Sequence, residues 1–201
     1  NFAHGALYMM GAFCAYFLLS LTGMGYWWAL IIAPIAVGIF GMILERTMLQ
    51  WLTGLDHLYG MLLTFGIALI VQGIFQNYFG SSGLPYAIPD ELRGGMKLGF
   101  MFLPIYRGWV VIFSLVVCLA TWFLIEKTRL GAYLRAATEN PTLVRAFGIN
   151  VPRMITLTYG LGVGLAALAG VLSAPIMQVR PLMGADRIIV VFAVVVIGGI
   201  G

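Results

Sequence analysis

EKTRLGAYLRAATENPTLVRAFGIN, residues 126–150, is the one long polar island in a chain that is otherwise lipid-like. It carries Lys127, Arg129, Arg135 and Arg145 against Glu126 and Glu139, and Arg153 follows just beyond. Loops that hold Lys and Arg beside membrane spans stay on the cytoplasmic side. A helix-competent polar segment between two apolar runs therefore reads as a cytoplasmic loop on which something docks, which points to a transport or coupling machine rather than a passive anchor.

The rest of the composition fits that frame. Hydrophobic residues make up 62% of the chain and charged residues 9%, against about 45–50% and about 25% in ordinary soluble domains. No soluble fold of this size hides so much apolar surface, so the solvent is largely bilayer. A spanning helix needs roughly 20 apolar residues, and uncharged runs cover residues 5–44, 58–89, 108–125 and 154–179. The first run is long enough for two spans, broken at LTGMG, residues 21–25. The fold class is an all-α integral membrane protein, a polytopic helix bundle. Spans are predicted near residues 6–21, 26–44, 58–79, 109–125 and 155–177, with a truncated sixth beginning near Ile188.

The formal charge of +4 sits at span ends. It follows the positive-inside pattern and gives no argument for nucleic acid. Cys14 and Cys118 both lie inside apolar spans, where they read as small buried hydrophobes rather than a disulfide or metal pair. No basic stretch precedes the first apolar run, so it is not a signal peptide. The chain begins at Asn1 and ends in VVVIGGIG; neither end reads as natural, and a piece of a longer membrane protein is expected.

With residues 127–153 inside, counting spans backwards places residues 81–107 outside, 45–57 inside, the 21–25 turn outside and Asn1 on or near the cytoplasmic side. Counting forwards places residues 180–187 outside. Arg93, Lys97 and Arg107 make the outer loop partly basic, at lower density than the 127–153 loop. Tyr26, Trp27, Trp28, Tyr78, Phe79, Tyr106 and Trp109 mark span edges, where rings stay apolar and polar tips stay wet. Pro85, Pro89 and several glycines exclude a continuous helix from the outer loop, which is either a partner contact or a plain connector.

An enzyme finds little footing here. The only histidines are His4 and His57, and His57 follows Asp56 at a span entrance as an ordinary interfacial pair. HExxH, GxSxG and paired intramembrane carboxylates are absent from the sequence, so no metal and no catalytic residue is assigned. Glu45, Arg46, Glu126 and Asp186 are expected at span boundaries, which disfavours ion coupling through a midplane carboxylate. The chain has no GxxxxGK[ST] loop, so energy for active transport has to come from a partner, and no cofactor is called for.

The inner loop is the natural contact. Residues 130–138 are rich in helix formers, Arg135 among them. Asn140 is placed to cap a second helix whose first position is Pro141, where the missing N–H costs nothing. That helix is predicted over residues 141–147, stopping at Gly148. Leu143, Val144 and Phe147 are expected on one side, with Arg145 pointing elsewhere. Such a helix either lies on the bilayer or docks into a groove of a soluble subunit. In the following span Gly162, Ala166, Gly170 and Ala174 recur every four residues, and Gly160 and Gly164 form a second pair. Small residues so spaced let a neighbouring backbone approach closely, or else weaken the helix into a gate. Asn1 and His4 are possible pathway groups, with capping or interfacial roles as the alternative.

TRLGAYLRAATENPTLVRAFGINVPRMITLTYGLGVGLAALAGVL resembles the cytoplasmic loop and following span of branched-chain amino acid ABC transporter permeases. NFAHGALYMMGAF and FAVVVIGGIG resemble that family's early segment and late Gly-rich segment. The match spreads from Asn1 to Gly201 and is weakest at residues 51–55 and in the outer loop. The resemblance implies one permease transmembrane domain over 1–201, with residues 126–153 as its coupling loop. It implies a multi-pass subunit of the bacterial inner membrane, paired with a second related permease, driven by two cytoplasmic ATP-binding subunits and fed by a periplasmic substrate-binding protein. The family's ATPase contact carries over to Glu139, Asn140, Pro141, Arg145, Gly148 and Asn150. Branched-chain or other hydrophobic amino acids are the implied cargo; urea or short amides, or a scaffold role without transport, are the alternatives.

Overall fold

The computed structural model describes residues 1–52, 54–99 and 101–198. Five helical segments among them are long and apolar enough to cross a membrane: Ala3–Thr22, Tyr26–Leu52, Leu58–Phe79, Ile105–Lys127 and Val151–Met177. The chain forms two compact units, one of Asn1–Ala87 with the chain from Tyr159 onward, the other Ile88–Thr158.

In the first unit, α1 (Ala3–Phe17) closes through a π-helical turn at Leu18–Thr22. Gly23 then adopts φ 68°, a left-handed conformation that suits glycine, and α2 (Tyr26–Thr47) starts two residues past Met24. The 21–25 break therefore separates two helices. On α2, Ala29, Ala33, Val37 and Gly41 form an inward stripe at a spacing of four, while Ile31, Ile35, Ile39 and Ile43 form an exposed one. The outward stripe is what a lipid-facing helix presents. Glu45 continues the inward stripe and is only 5% exposed. It lies in the last turn of α2, as expected for a span boundary, and the helix periodicity turns its carboxylate inward.

Asp56 caps α3 (His57–Phe79) by accepting from the Leu58 N–H at 3.0 Å. The His57 side chain lies outside the described residues. Ala3, Leu7, Val37, Ile67, Val163 and Ala167 form one buried hydrophobic cluster of this unit. Beside it, Phe13 packs on Phe75 and Phe79 with ring centroids 4.6 and 5.1 Å apart. After α3, Leu84 pairs with Val179 through two backbone hydrogen bonds of 2.8 and 2.9 Å. Tyr86 is buried under this loop, and its hydroxyl has no hydrogen-bond partner among the described residues. Burial, with Tyr26 adding, pushes its phenol up to about 12, so it is neutral at physiological pH.

In the second unit a 3-10 turn at Asp90–Leu92 precedes an antiparallel hairpin, β1 (Gly95–Leu98) and β2 (Met101–Pro104), that was not foreseen in the outer loop. It leads into α4 (Ile105–Lys127), whose Val111, Ile112, Leu115, Val116 and Leu119 are all exposed, as bilayer contact requires. Then come α5 (Arg129–Glu139) and α6 (Pro141–Ala146). Helix α7 (Val151–Met177) begins in this unit and continues unbroken into the first. It ends where Gln178 takes φ 62°, and α8 (Ala185–Gly198) follows. Cys14 and Cys118 are free thiols.

Candidate functional site

The polar island folds into two short helices clasped to the end of α4. Thr128 caps α5, accepting from the Gly131 N–H while donating to the Leu124 carbonyl. Gly131 is buried against the backbone of Ile125, where a methyl group would overlap the carbonyl. One turn on, Arg135 donates to the Ile125 carbonyl at 2.6 Å and lies 3.6 Å from the Glu126 carboxylate. The last carbonyls of a helix lack intrahelical donors and carry partial negative charge. Arg135 fills that need at α4 and fixes the angle at which α5 leaves it.

Asn140 ends α5 and caps α6, its side chain accepting from the Leu143 N–H at 3.0 Å. Pro141 is the first residue of α6, Phe147 its C-cap, and Gly148 takes φ 80° to terminate it. Asn150 then accepts from the Arg153 N–H at 3.1 Å, capping α7. Three caps in sequence make the loop a series of short rigid pieces rather than a slack tether. Leu143, Val144 and Phe147 do not share one environment. Val144 is buried, whereas Leu143 is 56% and Phe147 76% exposed. Glu139 and Arg145 are also exposed. The free surface of α6 is therefore two large apolar side chains beside a guanidinium, the composition of an interface anchor.

The small residues of α7 meet backbone on two sides. Gly160 and Gly164 face α2: a Cβ at Gly164 would stand 3.1 Å from the Pro34 carbonyl oxygen, and one at Gly38 would stand 3.1 Å from that of Gly160. Gly170 faces α1, where a Cβ would overlap the Tyr8 carbonyl, and Gly11 meets the backbone of Ala167 in the same way. Gly162 has His4 as its one close neighbour among the described residues, Ala166 is half-buried and Ala174 is fully buried. Ala167, one residue off the expected stripe, is thus the closer contact. It was missed because spacing alone does not say which neighbour a helix face meets.

Asn1 donates to the Tyr159 hydroxyl at 2.8 Å and accepts from the Ala3 N–H at 3.0 Å. His4 packs edge-on against Tyr159, centroids 5.8 Å apart, and Glu45 lies within electrostatic reach of the same hydroxyl. No group of three or more His, Cys, Asp or Glu side chains able to hold a metal ion occurs among the described residues.

Five membrane-length helices, glycine-mediated contacts among them and a capped, clasped polar loop define a polytopic membrane protein. All residues, 1–201, match the family model described as branched-chain amino acid transport system / permease component, and the chain belongs to that family. It is 26% identical over 215 residues to the high-affinity branched-chain amino acid transport system permease protein LivH of Escherichia coli, covering all of this chain and 69% of the relative. To BraD of Pseudomonas aeruginosa, a permease protein with the same description, it is 30% identical over 220 residues, with coverage of 100% and 69%. A shorter stretch of 85 residues, 42% of this chain and 26% of the relative, is 36% identical to the ribose import permease protein RbsC of Escherichia coli. No solved structure matches significantly. The chain is a transport-system permease component of the inner membrane.

Proposed function

We propose that this chain is the membrane-embedded subunit of an ATP-driven importer that passes branched-chain amino acids inward. The match of all 201 residues to the permease family carries this reading. Its partners are a second, related permease, cytoplasmic ATP-binding subunits and a periplasmic substrate-binding protein, and the chain works as a transporter subunit rather than an enzyme. Residues 126–153 face the cytoplasm as the coupling loop of a single permease domain, and α6 offers Leu143, Arg145 and Phe147 to a groove of the ATPase. Exposed aromatic and Arg side chains are the residue types that dominate binding at interfaces.

Coupling is mechanical in this reading. Closure of the ATPases displaces α6. Asn150 joins the loop to α7 by a side-chain cap, and α7 is one helix from Val151 to Met177, so a continuous helix leads from the loop toward the membrane. The glycine contacts of α7 with α1 and α2 hold the helices at backbone distance while they shift.

The test is uptake of labelled leucine into proteoliposomes holding the full-length parent, its partner permease, the ATPases and the binding protein. ATP-dependent uptake that isoleucine competes and urea does not is the expected result. Flux of urea instead would move the substrate. Undiminished uptake after residues 141–147 are replaced by a Gly/Ser linker would sink the coupling role of α6.

A further inference from the structure

A cleft of about 580 Å³ opens between α1, α7 and α8, within the size range of small-molecule sites. Its lining is divided by chemistry. Ala166 and Ala169 of α7, with Ile188 and Val191 of α8, give apolar wall, while Arg187 and Ser173, with His4 and Tyr8 of α1, give the polar part. Arg187 is half-buried, and its hydrogen-bond partner among the described residues is the Met177 thioether. A thioether is a weak acceptor, and a guanidinium has five donors.

The nearest carboxylate in sequence does not neutralise it. Asp186 is committed to Arg180 at 2.6 Å, and no ion pair to Arg187 occurs among the described residues. A cation held in an apolar cleft of a membrane protein without a counter-ion is costly, and such groups mark the path of a charged solute. The spacing suits a small amphipathic one. From Ala169 to Met177 the α7 wall runs about 12 Å at 1.5 Å per residue, room for one free amino acid but not for a peptide.

We propose that this cleft holds an aliphatic α-amino acid in transit, with its carboxylate on the Arg187 guanidinium and its side chain against Ala166, Ala169 and Val191. Arg and carboxylate pair through two parallel N–H···O bonds, which fixes orientation as well as charge. The apolar wall accepts a branched side chain without demanding one shape. The site rests on the importer reading above and adds to it the place where the cargo sits.

The experiment uses the reconstituted full-length complex and compares wild type with Arg187→Met and Arg187→Lys, measuring leucine uptake and ATP hydrolysis together. A lost charge-assisted contact is worth about ten- to a hundredfold, so Arg187→Met should lose uptake by that factor while still hydrolysing ATP, and Arg187→Lys should keep most of it. Near-normal uptake by Arg187→Met overturns the site and leaves the importer standing. Failure of wild type to take up leucine removes the importer reading and the site with it. If Arg187→Met does not assemble, Ser173→Cys in a background with Cys14 and Cys118 replaced by Ala decides. Leucine should slow its labelling by a charged methanethiosulfonate, and leucinamide, which lacks the carboxylate, should not. Equal labelling with and without leucine, or protection only by anionic lipid, overturns the proposal.

Discussion

Replacing Gly170 with alanine adds a single methyl group, and the structure says where that methyl goes. Its Cβ would overlap the Tyr8 carbonyl oxygen and stand 3.0 Å from the Tyr8 carbonyl carbon and 3.1 Å from the Ala12 nitrogen. All three are backbone atoms of α1, so no side chain can rotate away, and the two helices have to separate. A separation of only about 0.5–1 Å forfeits a quarter to a half of each dispersion contact along the seam, and overpacking of this kind costs about 1–3 kcal/mol. The same change at Gly73 of α3 meets nothing within 4 Å among the described residues; there alanine gains about 1 kcal/mol of helix propensity. The two variants share their covalent chemistry and the helix-propensity gain, so their difference isolates the packing contribution, about 1–3 kcal/mol. At about 2–4 °C per kcal/mol for a chain of this size, Gly170→Ala should melt about 2–12 °C below Gly73→Ala. The assay is size-exclusion chromatography of the detergent-solubilised full-length complex after a heating series. Midpoints within about 1 °C of each other would show that α1 and α7 do not meet through Gly170.

Other outcomes follow from the same contacts. Phe147→Ala should leave folding intact, because the ring is 76% exposed, yet reduce ATP-dependent uptake at least about tenfold as a lost interface anchor; uptake within twofold of wild type would remove Phe147 from the docking surface. Asn140→Ala should cost about 0.5–2 kcal/mol of local stability and speed hydrogen exchange at residues 141–147, whereas unchanged exchange would mean that the Asn140–Leu143 bond does not hold α6. Tyr86→Phe should be neutral or slightly stabilising in a melting series, since it removes a buried hydroxyl that has no partner; destabilisation beyond about 1 kcal/mol would reveal a hydrogen bond at that hydroxyl.

What the sequence disclosed and what it hid divide along physical lines. Local chemistry was readable. Asn140, Pro141 and Gly148 bound a helix whose observed limits, Pro141–Ala146, differ from expectation by one residue. The 21–25 break separates α1 from α2, and the five spans predicted in full became five membrane-length helices. Interactions between distant residues were not readable. The Arg135 clasp on the Ile125 carbonyl joins residues ten apart across a helix end, and nothing in spacing announces it. Glu45 sat at the edge of an apolar run, and only its place on the inward stripe of α2 explains its burial. The hairpin at Gly95–Pro104 comes from a tract whose glycines and prolines advertised turns but not pairing. Arg187 looked like a loop cation until α1 and α7 were seen to wall it in.

The glycine seams differ in whose atoms stand opposite, and that governs how the sequence can drift. Opposite Gly170 and Gly164 stand the carbonyls of Tyr8 and Pro34, which every amino acid possesses. No substitution at residue 8 or 34 makes room, so an enlarged residue at either glycine has no second-site suppressor across the seam. Opposite Gly41 stand the methyl groups of Val163, 2.7 Å from where a Cβ would be, and opposite Gly160 stands the Met42 side chain. There a larger residue on one helix can be compensated by a smaller one on the other. Selection for revertants should therefore return only true reversions or distant suppressors at the first pair, and Val163→Ala or shortened residue 42 at the second.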